Sequence, residues 1–69
     1  MKISYRKLWH LLSACGISAA ELRNASGIAP NTMTKLRKDE EVSLSVLARI
    51  CQVLHTDIGD IMEFVEKGD

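Results

Sequence analysis

Helix stop and start signals recur along this chain at such short intervals that it must fold as a set of short helices. Gly16 follows a stretch in which Leu8, Leu11, Leu12 and Cys15 repeat at three- and four-residue spacing. This predicts a first helix over about Ser4 to Cys15, capped by Ser4 and stopped by the glycine. Two residues later Ser18 is followed at the third position by Glu21, the pairing of a capping box, with Ile17 placed as a staple residue. The second helix, turning Ala19, Leu22 and Ala25 inward, is expected to end near Ser26-Gly27. Pro30 then marks a third start, because proline in a first helical turn gives up an N–H that has no helical partner anyway. That helix, about Pro30 to Arg37, buries Met33 and Leu36 and leaves Asn31, Thr34, Lys35 and Lys38 outward. Residues 37–41 are wholly charged and suit an exposed connection. Ser43 is placed to cap a fourth helix with Leu44, Leu47, Ile50, Cys51 and Leu54 inward, and Asp57 with Asp60 to start a fifth striped by Ile58, Ile61, Met62 and Val65. Residues 66–69 are read as a frayed end. No internal repeat is present, and no strand signal competes with the helical pattern.

With 69 residues, 46% of them apolar and 26% charged, the sequence fits one globular domain spanning 1–69. Such a chain buries roughly 60% of its unfolded surface, enough for one modest core. No apolar run nears the roughly 20 residues that cross a bilayer, and no signal-peptide pattern opens the chain, so a cytoplasmic location is expected. Cys15 and Cys51 both fall in apolar helical patterns and read as buried free thiols. A metal site formed with His10 and His55 would lack the closely spaced knuckles of structural zinc sites, so no metal or other cofactor is expected. Catalytic signatures are missing too: there is no H-E-x-x-H, no phosphate-cradling glycine loop, and no Cys-His pair with an orienting acid in reach, so the chain does not read as an enzyme.

Charge is divided along the sequence. Residues 1–38 carry Lys2, Arg6, Lys7, Arg23, Lys35, Arg37 and Lys38 against Glu21 alone, a formal +6, while residues 39–69 carry a formal −6. An anionic partner should therefore meet the first half. Two short helices joined around a glycine, the second polar on its outer face, are the local signature of a helix-turn-helix.

The segments AAELRNASGIAPNTMTKL (19–36) and VSLSVLARICQVLHTDIGDIM (42–62), with the amphipathic first helix, resemble the phage-repressor and Cro-like (XRE family) helix-turn-helix regulators, in particular their short stand-alone bacterial or phage members. The resemblance implies an all-α, five-helix, lambda-repressor-like DNA-binding domain with its helix-turn-helix at helices 2 and 3. It makes Ala20 the small residue packed between those helices, Gly27 the turn glycine, and Leu22, Met33 and Leu36 core positions. It also implies a transcriptional regulator, in the first place a repressor, with the helix at about 30–37 in the major groove of double-stranded DNA. Pro30, Asn31, Thr32, Thr34 and Lys35 would stand at or near base edges, Asn31 suited to adenine and Lys35 to guanine. Phosphate contacts would fall to Arg6, Lys7, Ser18, Arg23, Arg37 and Lys38; the same residue types also serve as plain solvated surface. Three positions depart from the family pattern: Ala19 stands where glutamine is frequent, Ala29 at the cap of the recognition helix where Ser or Thr is usual, and Asp39 where glycine is common and a left-handed backbone is expected.

Trp9, one position off its helical stripe, is expected to edge the core. The family's habit of dimerising through its C-terminal region makes Ile61, Phe64 and Val65 the candidate dimer patch for a homodimer on a palindromic operator. The competing reading is a protein-interaction module, such as an antitoxin or partner-dependent regulator, using the acidic second half as its contact face. RNA binding has no aromatic stacking platform to support it.

Overall fold

Each helix of the computed structural model, which describes residues 1–66, begins and ends where a local hydrogen-bonding device allows it. The first, α1 (Arg6–Cys15), ends at Gly16, whose φ of +69° lets the N–H of Ile17 reach back to the carbonyl of Leu12 at 3.0 Å. In α2 (Ala19–Ser26) the expected capping box is complete. Ser18 Oγ accepts from the Glu21 N–H at 3.1 Å, and Glu21 Oε1 accepts from the Ser18 N–H at 3.1 Å. Gly27, also at φ +69°, stops it. Helix α3 (Pro30–Arg37) starts with Pro30 at its first turn, after an Ala29 cap with no side-chain bond. Ser43 caps α4 (Leu44–Leu54) by accepting from the Val46 N–H at 3.2 Å.

The expected start of the first helix is displaced. Ser4 is not its cap; Tyr5 is, and Ser4 lies in a short strand, β1 (Lys2–Ser4), with its Oγ accepting from the Arg6 N–H at 3.3 Å. A second strand, β2 (Glu63–Val65), pairs antiparallel with it, placing Lys2 opposite Val65, Ile3 opposite Phe64 and Ser4 opposite Glu63. The expected fifth helix is therefore corrected. Asp57 and Asp60 do form a capping box, but it closes only one 3₁₀ turn, Ile58–Asp60, before the chain extends into β2. The apolar spacing of Ile58, Ile61, Met62 and Val65 suits a helix, yet pairing with the start of the chain decides the conformation. Among the described residues the architecture is thus four helices and a 3₁₀ turn closed by a two-stranded sheet, mostly helical as expected.

One core holds these elements together: Tyr5, Leu8 and Leu12 from the start of the chain, Leu22, Ile28, Met33 and Leu36 from the α2–α3 region, Leu47 and Ile50 from α4, and Ile61. Trp9 is half-buried at its edge. Four residues of the expected apolar stripes are exposed, one of them Ile58, which opens the 3₁₀ turn in place of the expected helix. Cys15 is the last residue of α1, beyond the turn that Leu12 buries; Ala25 lies off the α2 face that Leu22 turns toward the core; and Leu44 opens α4 outside the core's edge. Cys51 is half-buried. No helix among the described residues is long and apolar enough to cross a membrane. Of the frayed end expected at 66–69, residues 67–69 lie outside the described residues.

Candidate nucleic-acid interface

Helices α2 and α3 are joined by Gly27, Ile28 and Ala29 only, and Ile28 is buried in that turn, fixing the two helices on the core. With Met33 and Leu36 facing inward, helical periodicity turns Asn31, Thr34, Lys35 and Lys38 to solvent, and all four are exposed. Pro30 and Arg37 are exposed as well, and Thr32 is half-buried. Asn31 and Lys35 make no side-chain hydrogen bond among the described residues, whereas Thr34 Oγ1 donates to the Pro30 carbonyl at 3.2 Å and keeps its lone pairs as acceptors. No acid occurs within α3, and Lys35 and Arg37 in its last turn complement the negative end of its dipole.

The end of α3 is fixed by Asp39, whose φ of +57° is the left-handed conformation expected at this position. There the Glu40 N–H bonds the Lys35 carbonyl at 2.9 Å and the Asp39 N–H bonds the Leu36 carbonyl at 3.3 Å, the paired bonds of a glycine-type helix stop. The aspartate side chain explains why a non-glycine residue serves. Its Oδ1 accepts from the Tyr5 N–H at 2.9 Å, and the Tyr5 hydroxyl donates to the Glu40 carbonyl at 2.8 Å. Tyr5 thus ties the start of α1 to the end of α3 from inside the core, where it is only 1% exposed. Burial, followed by the Asp39 carboxylate, raises the Tyr5 phenol above its ordinary pKa. No local sequence pattern marks Tyr5 for this role, because both of its partners lie 34 and 35 residues away along the chain.

The residues expected to meet phosphate divide into three groups. Arg23 and Arg37 line one crevice of about 420 Å³ between α2 and α3, together with Ala20, Pro30, Met33 and Thr34, and Lys38 follows at the α3 end. Ala20 lies along this crevice and is exposed rather than enclosed between the helices. Arg6 and Lys7 instead engage the C-terminal segment: Arg6 Nη2 lies 3.6 Å from Glu63 Oε2, and Lys7 Nζ donates to the Gly59 carbonyl at 3.1 Å. Ser18 is committed to its capping box, which sets the Glu21 carboxylate at the start of α2 and occupies the Ser18 N–H. Of the expected dimer patch, Phe64 is 62% exposed and Val65 half-buried, but Ile61 is 0% exposed and belongs to the core, so it offers no surface to a partner.

The model of the Cro/C1-type helix-turn-helix DNA-binding domain family matches residues 7–67. The chain belongs to this family. Its α2–α3 pair is the helix-turn-helix, and the Cro/C1-type domain is a DNA-binding domain. The crystal structure of the transcriptional regulator VanUg (Form II) is similar to it with a TM-score of 0.93 and 45% sequence identity, covering 96% of this chain and 88% of that one. No curated protein matches the chain. The likeness extends beyond the α2–α3 segment to nearly the whole chain.

Proposed function

We propose that this Cro/C1-type domain, acting as one unit over the whole chain in the cytoplasm, is a sequence-specific transcriptional repressor that occupies a palindromic operator as two copies. One observation carries the reading: α3 presents an exposed polar row, Asn31, Thr34 and Lys35, flanked by Arg37 and Lys38, with no acid before Asp39. Inserted in the major groove, this row puts an amide and an ammonium where base edges offer adenine N6/N7 and guanine O6/N7, with Pro30 and Thr32 beside them. Arg23, Arg37 and Lys38 supply phosphate contacts around it, and Arg6 and Lys7 could join them only by leaving their partners at Glu63 and Gly59. Repression then follows from occlusion, since a bound body with extents of 34 × 24 × 17 Å covers about one turn of duplex. The role is one of binding; no residue is assigned to catalysis.

Selection from a randomised duplex library at two salt concentrations tests this reading. A palindromic site should be enriched, with affinity falling steeply as salt rises, and Lys38→Ala should reduce the salt slope by about one without changing the selected sequence. Failure to enrich any sequence at low salt would refute it.

A further inference from the structure

We infer that Tyr5 is a positioning residue for operator discrimination: buried and out of reach of any duplex, its two hydrogen bonds fix the end of α3 and with it the placing of Asn31 and Lys35 against base edges. The inference rests on the reading that α3 enters the major groove.

Little else gives α3 a fixed orientation. Its eight residues fall short of the roughly 12–15 at which a helix begins to hold by itself in water. The Ala29 cap makes no side-chain bond, and the Thr34 hydroxyl bonds within the helix. Met33 and Leu36 bury one face, but apolar contact is non-directional and leaves small rotations and slides of the helix open. Direction comes from one side of the core. Among the described residues, the only hydrogen bonds between residues 30–41 and another part of the chain are those of Tyr5, from its N–H to Asp39 Oδ1 at 2.9 Å and from its hydroxyl to the Glu40 carbonyl at 2.8 Å. No salt bridge among these residues adds to them.

The Glu40 residue carries the constraint into the helix. Its carbonyl accepts from Tyr5, while its N–H donates to the carbonyl of Lys35 at 2.9 Å, so a chain of bonds runs from the core to a member of the base-reading row. On the other side Tyr5 follows β1 directly, and the pairing of Ser4 with Glu63 anchors that end of the tie. Bonds to base edges demand distance and angle together, whereas phosphate contacts accept a range of positions and carry no sequence information. A loosened α3 end therefore costs discrimination and leaves the general attraction to duplex in place.

The test compares the parent, Tyr5→Phe, Asp39→Ala and Asp39→Asn on the selected operator and on random duplex at one salt concentration, with amide hydrogen exchange of the free proteins followed by NMR. Tyr5→Phe keeps the core-filling ring and Asp39→Asn keeps an acceptor, so both should fold even if Asp39→Ala does not. The operator-to-random ratio cancels the effect of the charge lost at residue 39. That ratio should fall about five-fold or more in Tyr5→Phe and Asp39→Ala, the worth of one base contact, and stay within about two-fold of the parent in Asp39→Asn. The Glu40 amide should exchange about ten-fold faster, relative to the amides of α4, in the first two variants. Equal losses on operator and random duplex, as a smaller folded fraction alone gives, would overturn the inference. So would an unchanged ratio, or an unchanged relative Glu40 rate, in folded Tyr5→Phe. A parent that selects no duplex brings down the groove reading and the inference together, whereas an operator that all four proteins discriminate alike sinks the inference alone.

Discussion

Replacing Asp39 separates two demands that meet at one residue. The position needs a left-handed backbone, at φ +57°, and it needs an acceptor for the Tyr5 N–H, bonded at 2.9 Å. Asp39→Ala removes the acceptor and leaves a donor at the edge of the core without a partner, at about 1–3 kcal/mol. It also puts in the left-handed region a residue with no polar side chain to compensate, adding up to about 1 kcal/mol. Asp39→Gly loses the same bond but relieves the backbone by about 1 kcal/mol, so its net cost is smaller. Asp39→Asn keeps an acceptor oxygen and tolerates the conformation, and should stay within about 1 kcal/mol of the parent. For a domain of this size each kcal/mol moves Tm by roughly 4–8 °C, so alanine, at about 1–4 kcal/mol in all, should lower it by roughly 4–30 °C, with Asn, Gly and Ala in descending order. Thermal unfolding followed by circular dichroism at one fixed protein concentration gives the ranking, the concentration being held because dimerisation would shift Tm. If Asp39→Ala melts within about 3 °C of the parent, the Tyr5–Asp39 bond does not hold the end of α3 and the reasoning fails.

Asn31→Ala should cost about 1–3 kcal/mol on the selected operator and relax the preference at one base pair while leaving binding to random duplex unchanged, as titration against single-base operator variants would show. Burial raises the Tyr5 pKa, with the Asp39 carboxylate adding to it, so the folded state holds that proton more tightly than the unfolded chain does. The resulting stability is full below the unfolded value of about 10 and is lost as pH rises through the folded value; denaturant melts across this alkaline window should show a decline that Tyr5→Phe reduces. Burial, then the Asp57 carboxylate, also pushes the Cys51 thiol up, whereas Cys15 is exposed. Iodoacetamide near neutral pH should therefore alkylate Cys15 at least about ten-fold faster than Cys51 in folded protein, as peptide mass spectrometry would resolve.

What could be read from the sequence was what local hydrogen bonds determine. Ser18 with Glu21, Gly27, Pro30 and Ser43 mark helix boundaries because each device is completed within a few residues of itself. The left-handed turn at Asp39 was legible by resemblance, but not the Tyr5 N–H that its carboxylate meets from 34 residues away. The strands escaped notice for a related reason. Each has three residues, too few to show alternation, and they pair the two ends of the fold. Leu44 and Ile61 both fit a helical apolar period, yet one is 74% exposed and the other wholly buried, a difference made by what packs over them. In the candidate site, composition gave the sign of the charge and periodicity the outward face of α3. Neither could show that Arg6 and Lys7 turn toward Glu63 and Gly59, away from a shared group with Arg37 and Lys38.

The pairing of Lys2 with Val65 makes the fold a closed loop of about sixty residues, and closing a loop of that length costs on the order of 3–4 kcal/mol of chain entropy. The sheet that closes the loop gains little of its own from two three-residue strands, so it is the natural place for the structure to open first.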